Sequence, residues 1–153
     1  MSNENEPIDV SPENPGETTP LRQFWGMNLN TYCMLMNLIQ ILPGWGQIGA
    51  ILMWIMNKDN SPEIDRYGKN VTNWIISFVI YVMVASMINL GIGVIGLFLT
   101  IAFHAPFIFI GHLSAVFTSI VFIMIGLAFP IIAAVKANHG VLWKYPLSIQ
   151  FFK

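Results

Sequence analysis

The sequence predicts an all-α integral membrane fold: a small four-helix bundle made of a short broken helical hairpin plus two long transmembrane helices. Residues 70–135 contain no Asp, Glu, Lys or Arg. A soluble helix keeps a charged face in water, whereas a charge at bilayer mid-depth costs at least roughly 2.5 kcal/mol. Charged residues make up 10% of the chain, well under the roughly 25% of ordinary soluble domains. Basic residues supply the third observation. If a hairpin precedes Lys58 and two passes follow Lys69, then Arg22, Lys58, Arg66, Lys69, Lys136, Lys144 and Lys153 all lie on the cytoplasmic side.

Each element has its own signal. Residues 1–24 read as a disordered acidic tail, with Glu4, Glu6, Asp9, Glu13 and Glu17 interspersed with Pro7, Pro12, Pro15 and Pro20. A cleaved signal peptide would open on a basic end and an apolar run instead. Residues 25–153 form a single transmembrane helical domain. Its first apolar block, residues 27–56, is interrupted by Pro43-Gly44-Trp45-Gly46, which ends one helix and turns the chain. The two arms, about 16 and 12 residues, reach roughly 24 and 18 Å. Against a hydrocarbon core about 30 Å thick, this predicts a hairpin that enters and returns.

Ser61-Pro62-Glu63 marks the next start, with Ser as N-cap, Pro at the first position and an acid in the first turn. Arg66, Lys69, Asn70, Asn73, Ser77 and Tyr81 share one helical face, opposite Ile64, Val71, Ile75 and Phe78. This helix therefore begins at the interface and dives into the membrane. The two long helices meet near His104-Ala105-Pro106, and both exceed the spanning length, which predicts tilt or a break at Gly91 and Gly93. Pro130 marks a kink in the last helix. That helix ends around Lys136, with Gly140 as its cap. Trp25, Trp54, Trp74 and Trp143 fall near the basic side as an interfacial belt, and Trp143, Tyr145 and Pro146 hold the tail there.

Seven basic and eight acidic residues give no reason to expect nucleic acid as a partner. Cys33 is the single cysteine, so no internal disulfide or Cys-based metal site is expected, and it reads as small core filling. Gly44-Trp-Gly46-Gln-Ile-Gly49 and Gly91-Ile-Gly93-Val-Ile-Gly96 match the dinucleotide fingerprint in letters only, since both lie in membrane segments without the required βαβ unit. They read as turn and packing glycines. His104 and His112 stand eight residues apart with no carboxylate at depth to join them, so neither a metal nor a cofactor is expected. Without an acid at depth to orient a base, the chain is expected not to be an enzyme.

Two patterns stand out as candidate sites. Asn30, Asn37 and Gln40, with Cys33, fall on one face of the first arm, and buried amides need partners. They are expected to turn inward toward Gln47, Asn73 or Tyr81, either holding the bundle together or lining a small hydrophilic cavity. His112, Ser119, Gly126 and Ala133 recur at heptad spacing and are expected to form a helix-packing stripe.

Several local patterns occur together: Pro43-Gly44-Trp45-Gly46, Asn57-Lys58-Asp59-Asn60-Ser61-Pro62, Gly68-Lys69-Asn70 with Asn73-Trp74, Lys136-Ala-Asn138 and Tyr145-Pro-Leu-Ser-Ile. Together they resemble the Tic-twenty-like family of small bacterial four-helix membrane proteins, related to the small membrane subunit of the chloroplast inner-envelope protein-import translocon. The resemblance implies four helices with both termini on one side. Its functional implication is a non-enzymatic protein of the bacterial inner membrane, a subunit or accessory of a larger assembly in protein translocation or insertion. Its partners would be the lipid bilayer and either another membrane protein or further copies of itself. The alternative is a small-solute or ion pathway through the bundle or its oligomer, which the lack of an intramembrane carboxylate or amine weakens.

Overall fold

Helix α1 (Leu29–Leu38) starts where Asn28 takes extended dihedrals and its side-chain oxygen accepts the Thr31 N–H at 2.8 Å. The computed structural model describes residues 26–42 and 44–153. The acidic tail expected over residues 1–24, together with Trp25 and Pro43, lies outside the described residues. A 3-10 turn (Ile39–Ile41) ends the first arm, and Gly44 at φ +76° reverses the chain into α2 (Trp45–Asn57). A side chain on Gly46 would overlap the Ile39 carbonyl, so the two arms meet backbone to backbone.

α3 (Pro62–Phe103) begins as the sequence predicts, with Pro62 in the first turn behind an extended Ser61. The cap chemistry differs. Ser61 makes no side-chain cap bond, and its hydroxyl donates to Glu63 Oε2 at 2.7 Å. α3 then runs through Gly91 and Gly93 without the expected break. At Gly91 and Gly93 a Cβ would meet nothing within 4 Å; the close approach depends on Gly111 of the facing helix, whose Cβ would sit 2.9 Å from the Gly93 Cα. His104, in the left-handed region at φ 53°, ends α3.

α4 (Ile108–Asn138) returns antiparallel to α3 and contains Pro130. Its first turn is capped from across the bend, where the Thr100 hydroxyl accepts the Ile108 N–H at 2.9 Å. Its last turn closes with Gly140 N–H on Ala137 C=O and Val141 N–H on Lys136 C=O, a Schellman arrangement with Gly140 at φ +71°. Residues 141–153 then run back along α3 as an irregular tail.

All four helices meet at one end of the molecule, here called the base. Its core contains Tyr32, Cys33, Met36, Ile64, Val71, Trp74, Ala133, Ala137 and Tyr145. On α3 the buried positions run from Ile64 to Ser77 and recur only at Gly96. On α4 they are Gly111 and a cluster from Pro130 to Ala137. Beyond the base, α3 and α4 continue as a two-helix hairpin. Both helices are long and apolar enough to cross a membrane, and almost nothing in their most apolar windows is buried. A soluble core helix shows the opposite burial.

The tryptophans depart from the expected belt. Trp74 is 3% exposed and Trp54 9%, so both are core residues, while Trp45 at the hairpin turn is 83% exposed. Burial of the first two follows from their partners. Trp74 stacks on Tyr145, and Trp54 meets Phe152 edge-on while its indole N–H donates to Asp65.

Candidate functional site

Polar residues of the first arm and of α3 converge on the C-terminal tail. An irregular backbone beside a bilayer needs partners for its N–H and C=O groups, because hydrocarbon offers none. α3 supplies them from Asn70, Asn73, Ser77 and Tyr81, whose spacings of three, four and four place them along one helical face.

Asn70 Nδ2 donates to the Trp143 carbonyl at 2.8 Å. The Asn73 amide donates to the Phe152 carbonyl at 2.9 Å, and its oxygen accepts from Phe151 N–H at 3.0 Å and Phe152 N–H at 2.8 Å. Ser77 Oγ accepts the Ile149 N–H at 2.8 Å. Tyr81 OH donates to the Leu147 carbonyl at 2.7 Å, where Leu147 sits at φ 66°. The stripe expected to face solvent and then the bundle interior is thus a rail for the chain's own terminus.

Tyr145 is the tail's deepest anchor, at 4% exposure. Its hydroxyl donates to Asn37 Oδ1 at 2.8 Å and accepts from Gln40 Nε2 at 3.1 Å. Asn37 Nδ2 in turn donates to the Cys33 carbonyl at 2.7 Å. The tyrosine ring lies parallel to Trp74, with centroids 5.1 Å apart, and Trp74 also contacts Phe78 and Phe129. Burial pushes the Tyr145 phenol well above its ordinary range, while the Gln40 hydrogen bond pulls the other way. The Asn37 and Gln40 side chains therefore close on a phenol and hold the bundle to its tail.

The other candidate residues are distributed as follows. Gln47 Nε2 donates to the Gln40 carbonyl at 3.3 Å, and its buried Oε1 has no partner among the described residues. Asn30 is exposed beside Gly140 at the end of α4. A second lock, which sequence reasoning missed, joins α1 to α2: Tyr32 OH donates to the Met53 carbonyl at 2.7 Å and accepts from Asn57 Nδ2 at 2.8 Å. Tyr32 and Asn57 stand on different helices, 25 residues apart, so no local spacing in the sequence signals the pair.

The heptad series on α4 splits. Ala133 is buried, and a Cβ on Gly126 would lie 3.1 Å from Phe78. His112 and Ser119 are exposed, and among the described residues they bond within their own helix, to the carbonyls of Ile108 and Ala115. Contact with α3 at that level comes from Gly111 and from Ser114, whose hydroxyl donates to Asn89 Oδ1 at 2.9 Å. Of the two glycine triplets, Gly44 makes a turn, Gly46, Gly49 and Gly96 permit close contacts, and Gly91 and Gly93 face open space. Among the described residues no group of three His, Cys, Asp or Glu lies together.

Comparison with curated proteins and with solved structures finds no match. Comparison with protein families overturns the Tic-twenty-like resemblance and with it the link to protein translocation. The patterns that carried that resemblance are mainly turn and interfacial residues, and short membrane hairpins demand such residues whatever they do. Over residues 28–152, nearly every position the structure describes, the chain matches the magnetosome magnetite crystal formation family, MamF/MmsF, and belongs to it.

Proposed function

We propose that this protein acts in magnetite crystal formation as a non-enzymatic component of the magnetosome membrane, organised into an assembly through its distal hairpin. The match to the magnetite crystal formation family over residues 28–152 carries this reading. The positive-inside rule supports an orientation in which the base and both termini are cytoplasmic and the His104–Pro106 bend lies on the mineral side.

Length supports the assembly. The uncharged part of α3 before its bend, residues 70–103, has 34 residues and so measures about 51 Å, against a hydrocarbon core of about 30 Å. Tilt alone would have to reach about 54°, beyond the roughly 0–40° seen for transmembrane helices. The excess is apolar and exposed, including Phe98, Ile101, Phe103, Phe109 and Leu113. Neighbouring hairpins or a locally thickened bilayer would cover it. A wall of such hairpins would shape the membrane against which a crystal grows.

The test is deletion of the protein in a magnetosome-forming bacterium, with crystal size and shape read by electron microscopy and a fluorescent fusion placed by imaging. The expected result is altered crystals, restored by the intact chain, and fusion signal on the magnetosome chain. Unchanged crystals together with signal confined to the cell envelope would overturn it.

A further inference from the structure

We infer that the base carries a binding site for a phosphate-bearing anion, with an anionic phospholipid headgroup as the ligand its position favours. A cavity of about 210 Å³ opens between the first turns of α3 and the C-terminal tail, lined by Arg66, Lys69, Lys144 and Lys153. These four cations come from two segments more than seventy residues apart in sequence, and only the tail's return along α3 brings them together. Among the described residues the one ion pair here is Lys69 Nζ with Asp65 Oδ2 at 2.6 Å. Positive charge is therefore in excess at the cavity.

A second observation concerns the wall. Ser148 lines the cavity, and its Oγ has no hydrogen-bond partner among the described residues. A hydroxyl donor beside Arg and Lys is the chemistry that takes up a phosphate oxygen, Arg through paired N–H groups and Lys as a point charge. Leu142 and Phe152 give the same cavity an apolar side. Its depth also fits. The uncharged run begins at Asn70, one residue past Lys69, which places the cavity at headgroup level. Basic pockets of this kind, on the cytoplasmic side of transmembrane helices, suit anionic headgroups. This inference depends on the membrane orientation but not on any role in crystal formation.

The experiment uses the purified, delipidated full chain in a neutral detergent. It is titrated separately with short-chain phosphatidylglycerol, short-chain phosphatidylcholine and inorganic phosphate, and the thermal-unfolding midpoint is read. Phosphatidylglycerol is expected to raise the midpoint saturably while phosphatidylcholine leaves it unchanged. A saturable rise with inorganic phosphate alone would also support the site and would assign its source as the free anion. Each cation near such an anion is worth about fivefold in affinity, so Arg66→Gln/Lys144→Gln/Lys153→Gln should weaken binding about a hundredfold. Lys58→Gln/Lys136→Gln, outside the cavity, should bind as the parent does. Equal losses in both variants would show diffuse charge attraction and overturn the site, as would no response to either anion. Arg66, Lys144 and Lys153 are exposed, so an unaltered midpoint without ligand confirms that the triple variant is folded.

Discussion

At the base, α3 and α4 pack against α1, α2 and the tail, and bury Trp74, Ser77, Ala133 and Ala137. A few turns further along, in the distal hairpin, the same two helices pack against each other and leave most of their apolar surface exposed. There Val94, Phe98, Phe117 and Met124 are more than half exposed. The base is held by polar side chains that satisfy irregular backbone and by stacked aromatic rings. The hairpin is held by glycines that let helices approach, with Asn89–Ser114 and Thr100–Ile108 as its polar ties. In a bilayer, apolar side chains lose no water by meeting, so they do not by themselves hold helices together. Polar groups without partners do drive association, and here they are concentrated where the chain is least regular.

The comparison breaks most severely at Trp74. Trp74→Ala removes a ring that contacts Tyr145, Phe78 and Phe129. It should cost about 3–5 kcal/mol at the base, read by chemical unfolding in detergent. Intact base stability would show that the aromatic cluster is incidental.

Tyr145→Phe tests the hydrogen bonds separately from the stack. It leaves Asn37 Oδ1 without the phenol and Gln40 Nε2 with only the Asn37 carbonyl. A cost of about 1–3 kcal/mol is expected, seen as faster proteolysis of residues 141–153. Asn37→Leu combined with Tyr145→Phe should recover part of that loss, because an apolar pair strands no amide.

Gly111→Leu acts on the other half of the molecule. Its side chain would collide with Gly93. The hairpin should splay by about 1–3 kcal/mol, seen as reduced disulfide crosslinking between cysteines introduced at 89 and 114. Tail proteolysis should stay at the parent rate. A loosened tail would mean that base and hairpin form one cooperative unit.

A smaller effect should follow alkaline pH. Burial raises the Tyr145 phenol above the ordinary tyrosine value of about 10. Its contribution is therefore full below about pH 10, where the phenol is protonated in both states, and is lost as pH rises toward the folded value. Tail protection should fall above that pH in the parent and much less in Tyr145→Phe. The smallest effect is expected at Leu147, which holds φ 66°. Leu147→Gly should relieve about 1 kcal/mol and slow tail cleavage slightly.

Much of the fold was legible from charge and turn chemistry. The uncharged run, Pro43-Gly44, Ser61-Pro62 and Gly140 identify their elements because each reports a local or solvent constraint. Helix α3 runs through Gly91 and Gly93, where a side chain would meet open space, and the glycine that packing requires at this level is Gly111 on α4, which only the structure tells apart. The candidate site was half legible. Asn37, Gln40, Asn73 and Tyr81 are recognisable as polar groups that must find partners in hydrocarbon, but a period of 3.6 names a face and says nothing of what covers it.

By itself, the sequence determined that this protein lives in a membrane and that two long helices follow a short hairpin. Those properties follow from solvation and from backbone chemistry within a few residues. Only the tertiary structure decided that the polar stripe of α3 grips residues 143–152, that Tyr145 closes the base, and that Arg66 and Lys69 meet Lys144 and Lys153 around one cavity. Each of these joins positions about seventy residues or more apart, where contact depends on how a whole helical hairpin returns.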